Sequence, residues 1–278
     1  MGMGKPVLEP QILKEAELLM EHMEAEGVVD PSSSLATFTS NNILQMMFGQ
    51  RWKFGETANK IFIDAINTLN TNTPFLMLGD LAPMLRHLSN VKRASKEFHE
   101  ALDHIRSFIR EMIEKQIAKT DSDLENADNT KVLLQTTSKD DLSTLVDLCQ
   151  DIFLAGTGST ITTLNFVIVH LLNNPVWQEE LFLEISTAFQ AGVPSMGGLD
   201  KLPKLEATIQ ETLRLNPNAP LIPKATGQVT KVRGYVVPAN CQVWVNVYHI
   251  NYDPVTFPDP STFSPQRWLR HDGTFRRE

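Results

Sequence analysis

Residues 141–172, DLSTLVDLCQDIFLAGTGSTITTLNFVIVHLL, decide the fold of this chain. Apolar residues recur at helical spacing on both sides of a short run of small and hydroxyl residues, Ala155 to Thr160. This spacing predicts one helix of roughly 30 residues, about 45 Å long, which would cross a whole domain. Glycine inside a buried helix costs roughly 1 kcal/mol relative to alanine, so Gly156 and Gly158 need a physical reason. The stretch alone leaves two reasons open: a tight crossing with another helix, or the close approach of a flat, bulky ligand.

Composition excludes several classes of protein. The 278 residues can bury a large core, and a net charge of −8 argues against nucleic acid as the main partner. The two cysteines, Cys149 and Cys241, lie far apart and predict no disulfide framework. His99 and His104 lack metal-ligand spacing, so no metal site is expected. The chain has no uninterrupted run of 18 apolar residues and no signal-peptide core, which predicts that it neither spans a membrane nor carries a targeting signal.

The rest of the chain divides by its periodicity into a helical part and a small β-region. Helical patterns cover residues 10–26, 35–48, 56–69, 91–119, 175–189 and 202–215, with an asparagine cap expected at Asn174. Residues 74–83 and the acidic stretch 121–140 are predicted to be irregular. Alternating residues at 228–237 and 241–248 predict a hairpin and a strand, followed by a proline-rich loop. The length allows one large domain or two ordinary ones, and the periodicity gives a helical body at 1–217 and a small β-region and loop at 218–278.

Two short motifs near the C-terminus predict a buried ionic cluster. Glu211 and Arg214 are three residues apart on a predicted helix and so share one face. An exposed pair of this kind contributes little to stability. Arg267, however, lies in a proline-containing aromatic loop, FSPQRW, at 263–268. One carboxylate that binds both guanidinium groups would attach this loop to the helix.

These motifs together resemble the cytochrome P450 family, the haem-thiolate monooxygenases. The residues ETLR at 211–214 resemble the family's ExxR helix, and FSPQRW resembles the loop whose arginine completes its Glu-Arg-Arg triad. The run AGTGST at 155–160 is similar to the family's central-helix motif. The turn FGQR at 48–51 and the segments RGYVVP and HDGTFRR, at 233–238 and 271–277, are similar to animal microsomal members. The resemblance implies the mainly α cytochrome P450 fold, with a small β-region near the C-terminus, as a single partial domain over residues 1–278.

The resemblance also implies roles for individual residues. Three groups would face the reaction: a catalytic hydroxyl, from Ser159 or from Thr160 if the register shifts, the haem-binding residues Ala155, Gly156 and Lys224, and the substrate-facing residues Phe153, Leu221 and Ile222. Glu211, Arg214 and Arg267 would form the structural triad. Gly158 stands where the family has an acid that serves in proton delivery, so efficient oxygen activation is in doubt. The segment 220–223 resembles the turn after ExxR that contacts substrate.

The resemblance further implies that this chain covers only part of the family's length. The N-terminal membrane anchor and the loop with the iron-ligand cysteine are expected outside it, and neither Cys149 nor Cys241 matches the ligand position. We therefore expect no metal ligand in this chain, and no activity from the chain alone.

For the parent protein, the resemblance implies haem-dependent insertion of one oxygen atom of O2 into a small lipophilic substrate. Electrons would come from a flavoprotein NADPH reductase, with cytochrome b5 as a further candidate donor. Nucleic acid is not an expected partner, and the location would be the cytoplasmic face of the endoplasmic reticulum membrane. The alternative is a truncated, catalytically inactive helical protein that acts only in binding or interaction.

Overall fold

The computed structural model describes residues 8–120, 142–190 and 192–276, and the chain divides into two compact units, Met1–Ile161 and Thr162–Glu278. Within the described residues, unit 1 is helical and unit 2 combines helices with short strands. The helices are α1 (Glu9–Glu26), α2 (Pro31–Phe48), α3 (Thr57–Leu81), α4 (Ser89–Thr120), α5 (Leu142–Asn173), α6 (Pro175–Phe189), α7 (Pro203–Leu215) and α8 (Val247–Asn251). The strands are β1 (Leu221–Ala225), β2 (Thr230–Val232), β3 (Tyr235–Val237) and β4 (Gln242–Asn246), and 3-10 turns occur at Pro83–His87, Met196–Lys201 and Pro265–Trp268. The predicted class, mainly α with a small β-region near the C-terminus, is confirmed.

Most predicted helices are present, but two of their boundaries differ. Helix α2 begins four residues before the predicted start, because the Asp30 carboxylate accepts a hydrogen bond from the Ser32 amide at 3.0 Å and Pro31 occupies the first turn. Helix α3 continues through Pro74 to Leu81, so the predicted irregular segment is wrong over 74–81. Packing of α3 along α4 holds the helix together across the proline. The predicted irregular stretch 121–140 lies outside the described residues.

The core of unit 1 forms between α2, α3, α4 and the first half of α5. Aromatic side chains occupy its centre: the Phe62 ring makes an edge contact with Phe153 at 4.5 Å between centroids, and Trp52 lies 5.4 Å from Phe62. Cys149 is fully buried in this cluster and carries a free thiol. Contacts with three other helices thus fix the first half of α5.

A buried carboxylate attaches α1 to this core. Glu15, on α1, is almost fully buried and accepts hydrogen bonds from the Arg51 side chain at 2.6 Å and from Asn41 at 3.1 Å. Asn41 also exchanges two hydrogen bonds with the backbone of Trp52, at 3.0 and 2.8 Å. The amide and the guanidinium together satisfy the charge that α1 brings into the core.

In unit 2, polar side chains join α6 to α7. The Trp177 indole N–H donates to the Thr208 hydroxyl at 2.8 Å. The Glu184 carboxylate accepts hydrogen bonds from the amides of Lys204 and Leu205, at 2.9 and 3.1 Å, and so caps the first turn of α7 from a neighbouring helix. Asn174 occupies the predicted N-cap position of α6, with Pro175 in the first turn, but its side chain donates to the His170 carbonyl instead of accepting from α6.

The cap that Glu184 provides for α7 should contribute to the stability of unit 2. We expect Glu184→Ala to lower the free energy of unfolding of unit 2 by about 1–2 kcal/mol, because two amides at the start of α7 lose their acceptor. The matched control is Glu179→Ala on the same helix, since Glu179 is exposed. Urea unfolding followed by circular dichroism compares the two variants. Equal losses in both variants would contradict the capping role.

The strands form two separate antiparallel pairs. Strand β1 pairs with β4, from Leu221 opposite Asn246 to Ala225 opposite Gln242, and β2 pairs with β3 through a tight turn at Arg233 and Gly234, both at positive φ. The segment that was expected to be a turn after ExxR is therefore extended. Pro223 argued against a strand in the sequence, because proline is tolerated only where the N–H side of a strand is unpaired.

Helix α5 is long and apolar enough to cross a bilayer, judged by length and composition alone. No spanning segment was predicted from the sequence, because that prediction required about 18 consecutive apolar residues. The hydroxyl residues of α5 break its apolar sequence into shorter runs. Core helices pass the same test of average hydropathy. The first half of α5 contributes Leu145, Val146, Cys149 and Phe153 to the core of unit 1, but only 11% of the most apolar window of the helix is buried, so α5 is a core helix over its first half alone.

Candidate functional site

A salt bridge buried on α7 is the centre of the candidate site in unit 2. The side chains of Glu211 and Arg214 are 0% and 2% exposed. The Arg214 Nε and Nη2 atoms donate to Glu211 Oε2 and Oε1 at 2.9 and 2.8 Å, so the guanidinium holds the carboxylate in a bidentate pair. The helical spacing of three residues produces this geometry directly.

The proline-containing loop brings its arginine to the same carboxylate. Arg267 Nε donates to Glu211 Oε1 at 3.1 Å, and the Ser264 amide donates to the same oxygen at 2.9 Å. A further hydrogen bond from Arg267 Nη1 reaches the Pro258 carbonyl at 3.1 Å. The structure thus brings Glu211, Arg214 and Arg267 together around one carboxylate.

Arg214 also organises the chain that precedes this loop. Its Nη1 atom donates to the carbonyls of Asn251 and Pro260 at 2.8 and 2.7 Å, and its guanidinium carbon lies 5.1 Å from the centre of the Phe257 ring. Asn251 returns a hydrogen bond to the Arg214 carbonyl at 3.0 Å. One buried side chain therefore fixes both α8 and the proline-rich segment to α7.

Two donors to the carboxylate were not predicted. The Trp268 indole N–H donates to Glu211 Oε2 at 2.9 Å, and the Ser264 amide is the other. A backbone amide leaves no signal in the sequence. The tryptophan does leave one, because among the aromatic side chains that could end this motif it offers an N–H donor that phenylalanine lacks.

These contacts determine the ionisation of Glu211. Burial alone raises the pKa of its carboxyl group. The hydrogen bonds from Arg214, Ser264 and Trp268, and the positive charge of Arg214, outweigh burial and hold the pKa of Glu211 below its ordinary value. The carboxylate is therefore ionised at neutral pH.

In unit 1, the small-residue run of α5 presents two different faces. Ala155 and Ser159, four residues apart, lie on the exposed face, whereas Phe153 and Thr157 are fully buried. The hydroxyl of Ser159 donates to the Ala155 carbonyl at 2.8 Å, and that of Thr160 donates to the Gly156 carbonyl at 2.9 Å. Both hydroxyl protons are thus directed at the backbone of the preceding turn.

Gly156 packs against a side chain of α2. A Cβ atom at this position would lie 2.7 Å from Cδ1 of Ile43, closer than real side chains approach, so a larger residue would require the end of the Ile43 side chain to move. Packing against another helix is therefore one reason for this glycine. At Gly158 the nearest atom to such a Cβ would be 3.9 Å away, on Ile66, so packing does not require that glycine.

The other residues assigned from the resemblance lie in different places. Phe153 is in the core of unit 1, and Leu221, Ile222 and Lys224 lie in β1, where Leu221 and Lys224 are exposed and Ile222 is partly buried. No group of three potential metal ligands occurs within residues 8–120, 142–190 and 192–276. Burial raises the pKa of the Cys149 thiol to about 11, so at neutral pH it is a protonated core thiol.

Comparison with known proteins gives the family. The family model described as Cytochrome P450 matches residues 2–278. Among curated proteins, the chain is 28% identical over 289 residues to Cytochrome P450 1A1 of Chelon auratus and 27% identical over 288 residues to Cytochrome P450 1A3 of Oncorhynchus mykiss, in each case over 96% of this chain and 54% of the relative. Cytochrome P450 1A1 of Cavia porcellus is 28% identical over 282 residues, with the same coverage. The chain thus spans about half the length of the curated relatives it matches. Because the family model covers nearly all of its residues, the chain belongs to the cytochrome P450 family.

Proposed function

We propose that the protein represented by this chain is a haem-dependent monooxygenase that inserts one oxygen atom of O2 into a small lipophilic substrate. The observation that carries the proposal is the buried cluster of Glu211, Arg214 and Arg267, the arrangement that its motifs led us to expect from the family. The three side chains bind one another, and Arg267 also binds the loop that carries it. Their role in the proposal is structural.

The exposed face of α5 fits the proposed cofactor. Ala155 and Ser159 present small side chains there, so a flat macrocycle can approach the helix closely. Haem, when bound, supplies the electron transfer and oxygen activation that protein side chains cannot supply. In this proposal Ala155 and the partly exposed backbone of Gly156 bind the cofactor, and Lys224 binds one of its carboxylates. Leu221 and Ile222 contact substrate, and the buried ring of Phe153 acts on the substrate site through the position of α5.

Ser159 and Thr160 supply the catalytic hydroxyls in this proposal. Each must turn from its carbonyl acceptor, at 2.8 and 2.9 Å, before it can donate a proton elsewhere. Gly158 offers no carboxylate to replenish that proton. We therefore propose that oxygen activation is poorly coupled to substrate oxidation unless a group outside the described residues delivers protons.

The axial ligand is proposed to come from outside residues 1–278. A thiolate is required, and the Cys149 thiol is fully buried with a pKa of about 11. Cys241 lies beside β4 and is not at the family's ligand position. The proposed partners are a flavoprotein NADPH reductase and cytochrome b5, and the proposed location is the cytoplasmic face of the endoplasmic reticulum membrane, reached through an N-terminal anchor.

The test uses the transcript and the haem spectrum together. We expect the reading frame beyond the codon for Glu278 to encode a segment of the form FxxGxRxCxG, and the full product to show the red-shifted Soret band of thiolate ligation when reduced under CO. The control is the 278-residue chain expressed with haem, which should show no such band. A stop codon directly after Glu278 would contradict the enzyme and favour the inactive binding protein. A thiolate band from the short chain would contradict an external ligand.

A further inference from the structure

Trp268 connects the buried carboxylate of unit 2 to the loop that follows it. Its indole N–H donates to Glu211 Oε2 at 2.9 Å, while its carbonyl accepts a hydrogen bond from the Arg276 amide at 2.8 Å. The loop between these residues closes through a bridge from Leu269 to Phe275. We call residues 268–276 the closing loop. Trp268 is thus one end of the closing loop, and it binds both the carboxylate and the other end of the loop.

The two oxygens of Glu211 are unequally supplied with donors. Oε1 accepts three hydrogen bonds, from Arg214 Nη2, the Ser264 amide and Arg267 Nε. Oε2 accepts two, from Arg214 Nε and Trp268 Nε1. Loss of the indole N–H would leave this buried oxygen with one donor. Hydrogen bonds to an ionised acceptor are roughly twice as strong as neutral ones, so the loss should be large for a single contact.

We propose that Trp268 is a positioning residue, whose indole N–H ties the closing loop to the ionised Glu211 carboxylate. The shape of the ring alone does not fulfil this role, because an aromatic side chain without an N–H would pack but not donate. The attachment exists only while Glu211 carries its charge, so the loop is held more weakly when this carboxylate is protonated. This role of Trp268 requires neither haem nor the proposed activity.

Protonation of Glu211 itself is the change that should weaken this cluster in acid. The charged groups that face Glu211 are Arg214 from α7 and Arg267 from the loop. Tyr252, next to Arg214, is neutral in acid, since burial raises the pKa of its hydroxyl further. The pKa of Glu211 is depressed in the folded chain. Its contribution to stability is therefore present above its ordinary pKa, and is lost as pH falls through the lowered folded value.

The test compares two tryptophan-to-phenylalanine variants of the full 278-residue chain. Trp268→Phe removes an N–H that donates to an ion, and Trp177→Phe removes one that donates to the neutral Thr208 hydroxyl at 2.8 Å. At neutral pH we expect Trp268→Phe to reduce the folding equilibrium constant of unit 2 about 10- to 100-fold. Measured by urea unfolding across a pH series, this deficit should shrink as Glu211 is protonated, while the deficit of Trp177→Phe should stay constant. Parallel pH profiles in the two variants would overturn the proposal.

A second measurement observes the indole N–H of Trp268 in the unsubstituted chain, and variants serve only to assign the signals. The chain contains four tryptophans, so a nitrogen-15 spectrum of labelled indoles shows four side-chain signals that single substitutions assign. We expect the signal of Trp268 to shift in acid as Glu211 takes up its proton, and those of Trp52, Trp177 and Trp244 to stay in place. A Trp268 signal that is unchanged down to the acid unfolding midpoint would overturn the proposal.

Discussion

Replacement of Glu211 by glutamine is expected to lower the free energy of unfolding of unit 2 by about 3–5 kcal/mol. The variant keeps the size of the side chain but removes the charge that two arginines share, and Arg214 is then left buried without its ionic partner. The uncharged amide can also accept fewer of the five hydrogen bonds that now reach the two carboxylate oxygens. Urea unfolding followed by tryptophan fluorescence measures the effect, since Trp177, Trp244 and Trp268 lie in unit 2.

The matched control is Glu206→Gln, the same chemical change in the first turn of the same helix. Glu206 forms no ion pair within the described residues, so its loss should cost less than about 1 kcal/mol, mainly through the helix dipole. The pH profile gives a second control. The deficit of Glu211→Gln should be full at neutral pH and should fade as the native carboxylate is protonated in acid. Similar losses in the two variants would show that the cluster does not stabilise unit 2.

The contrast between Arg267 and Trp268 shows what the sequence could and could not reveal about this cluster. The arginines could be found because charged side chains at helical spacing, and an arginine in a proline-containing aromatic loop, form a pattern specific enough to predict an ionic cluster. The Ser264 amide could not, because a backbone amide leaves no signal in the sequence. Trp268 could be recognised as a possible N–H donor, but not assigned to Glu211, because whether it donates depends on how the loop folds over α7. Sequence therefore predicted which charges meet, but not the neutral donors that complete the coordination of Glu211.

The fold shows the same division between local and tertiary information. Helices with a strong apolar period, such as α4 and α7, could be predicted to within a few residues. Helix α3 could not, because local rules end a helix before Pro74 while packing against α4 carries it on to Leu81. Strand β1 was hidden by Pro223, and its assignment depends on pairing with β4, some twenty residues later. The errors occur where a distant segment overrides a local preference.

The small-residue run of α5 meets two different requirements on two different faces. Successive helical residues are separated by about 100°, so Ala155 and Ser159 share a face while Gly156 points well away from it. The structure places Ile43 against Gly156 and leaves Ala155 and Ser159 exposed. Contact with Ile43 thus accounts for one face of the run, while the exposed face is open to the proposed cofactor, which Gly156 would meet only through its partly exposed backbone. Composition alone could not separate the two faces, because both require small residues.

Phe153, two positions before this run, provides the second large expected effect. We expect Phe153→Ala to lower the free energy of unfolding of unit 1 by about 3–5 kcal/mol, because truncation of a fully buried ring loses its burial and leaves a cavity beside Phe62. Trp52 packs on Phe62 and lies in unit 1, so its fluorescence during urea unfolding reports the loss.

The control for Phe153 is Leu148→Ala on the same helix, where the native side chain is 42% exposed and truncation should cost about 1 kcal/mol or less. The comparison also separates two roles for the ring. A core residue loses stability on truncation whether or not substrate is present, whereas a ring that mainly contacts substrate would give a Phe153→Ala chain as stable as the Leu148→Ala control. The contact of Phe153 with Phe62 favours the first result. In that case a role in substrate binding would be indirect, because the ring would act by fixing the position of α5.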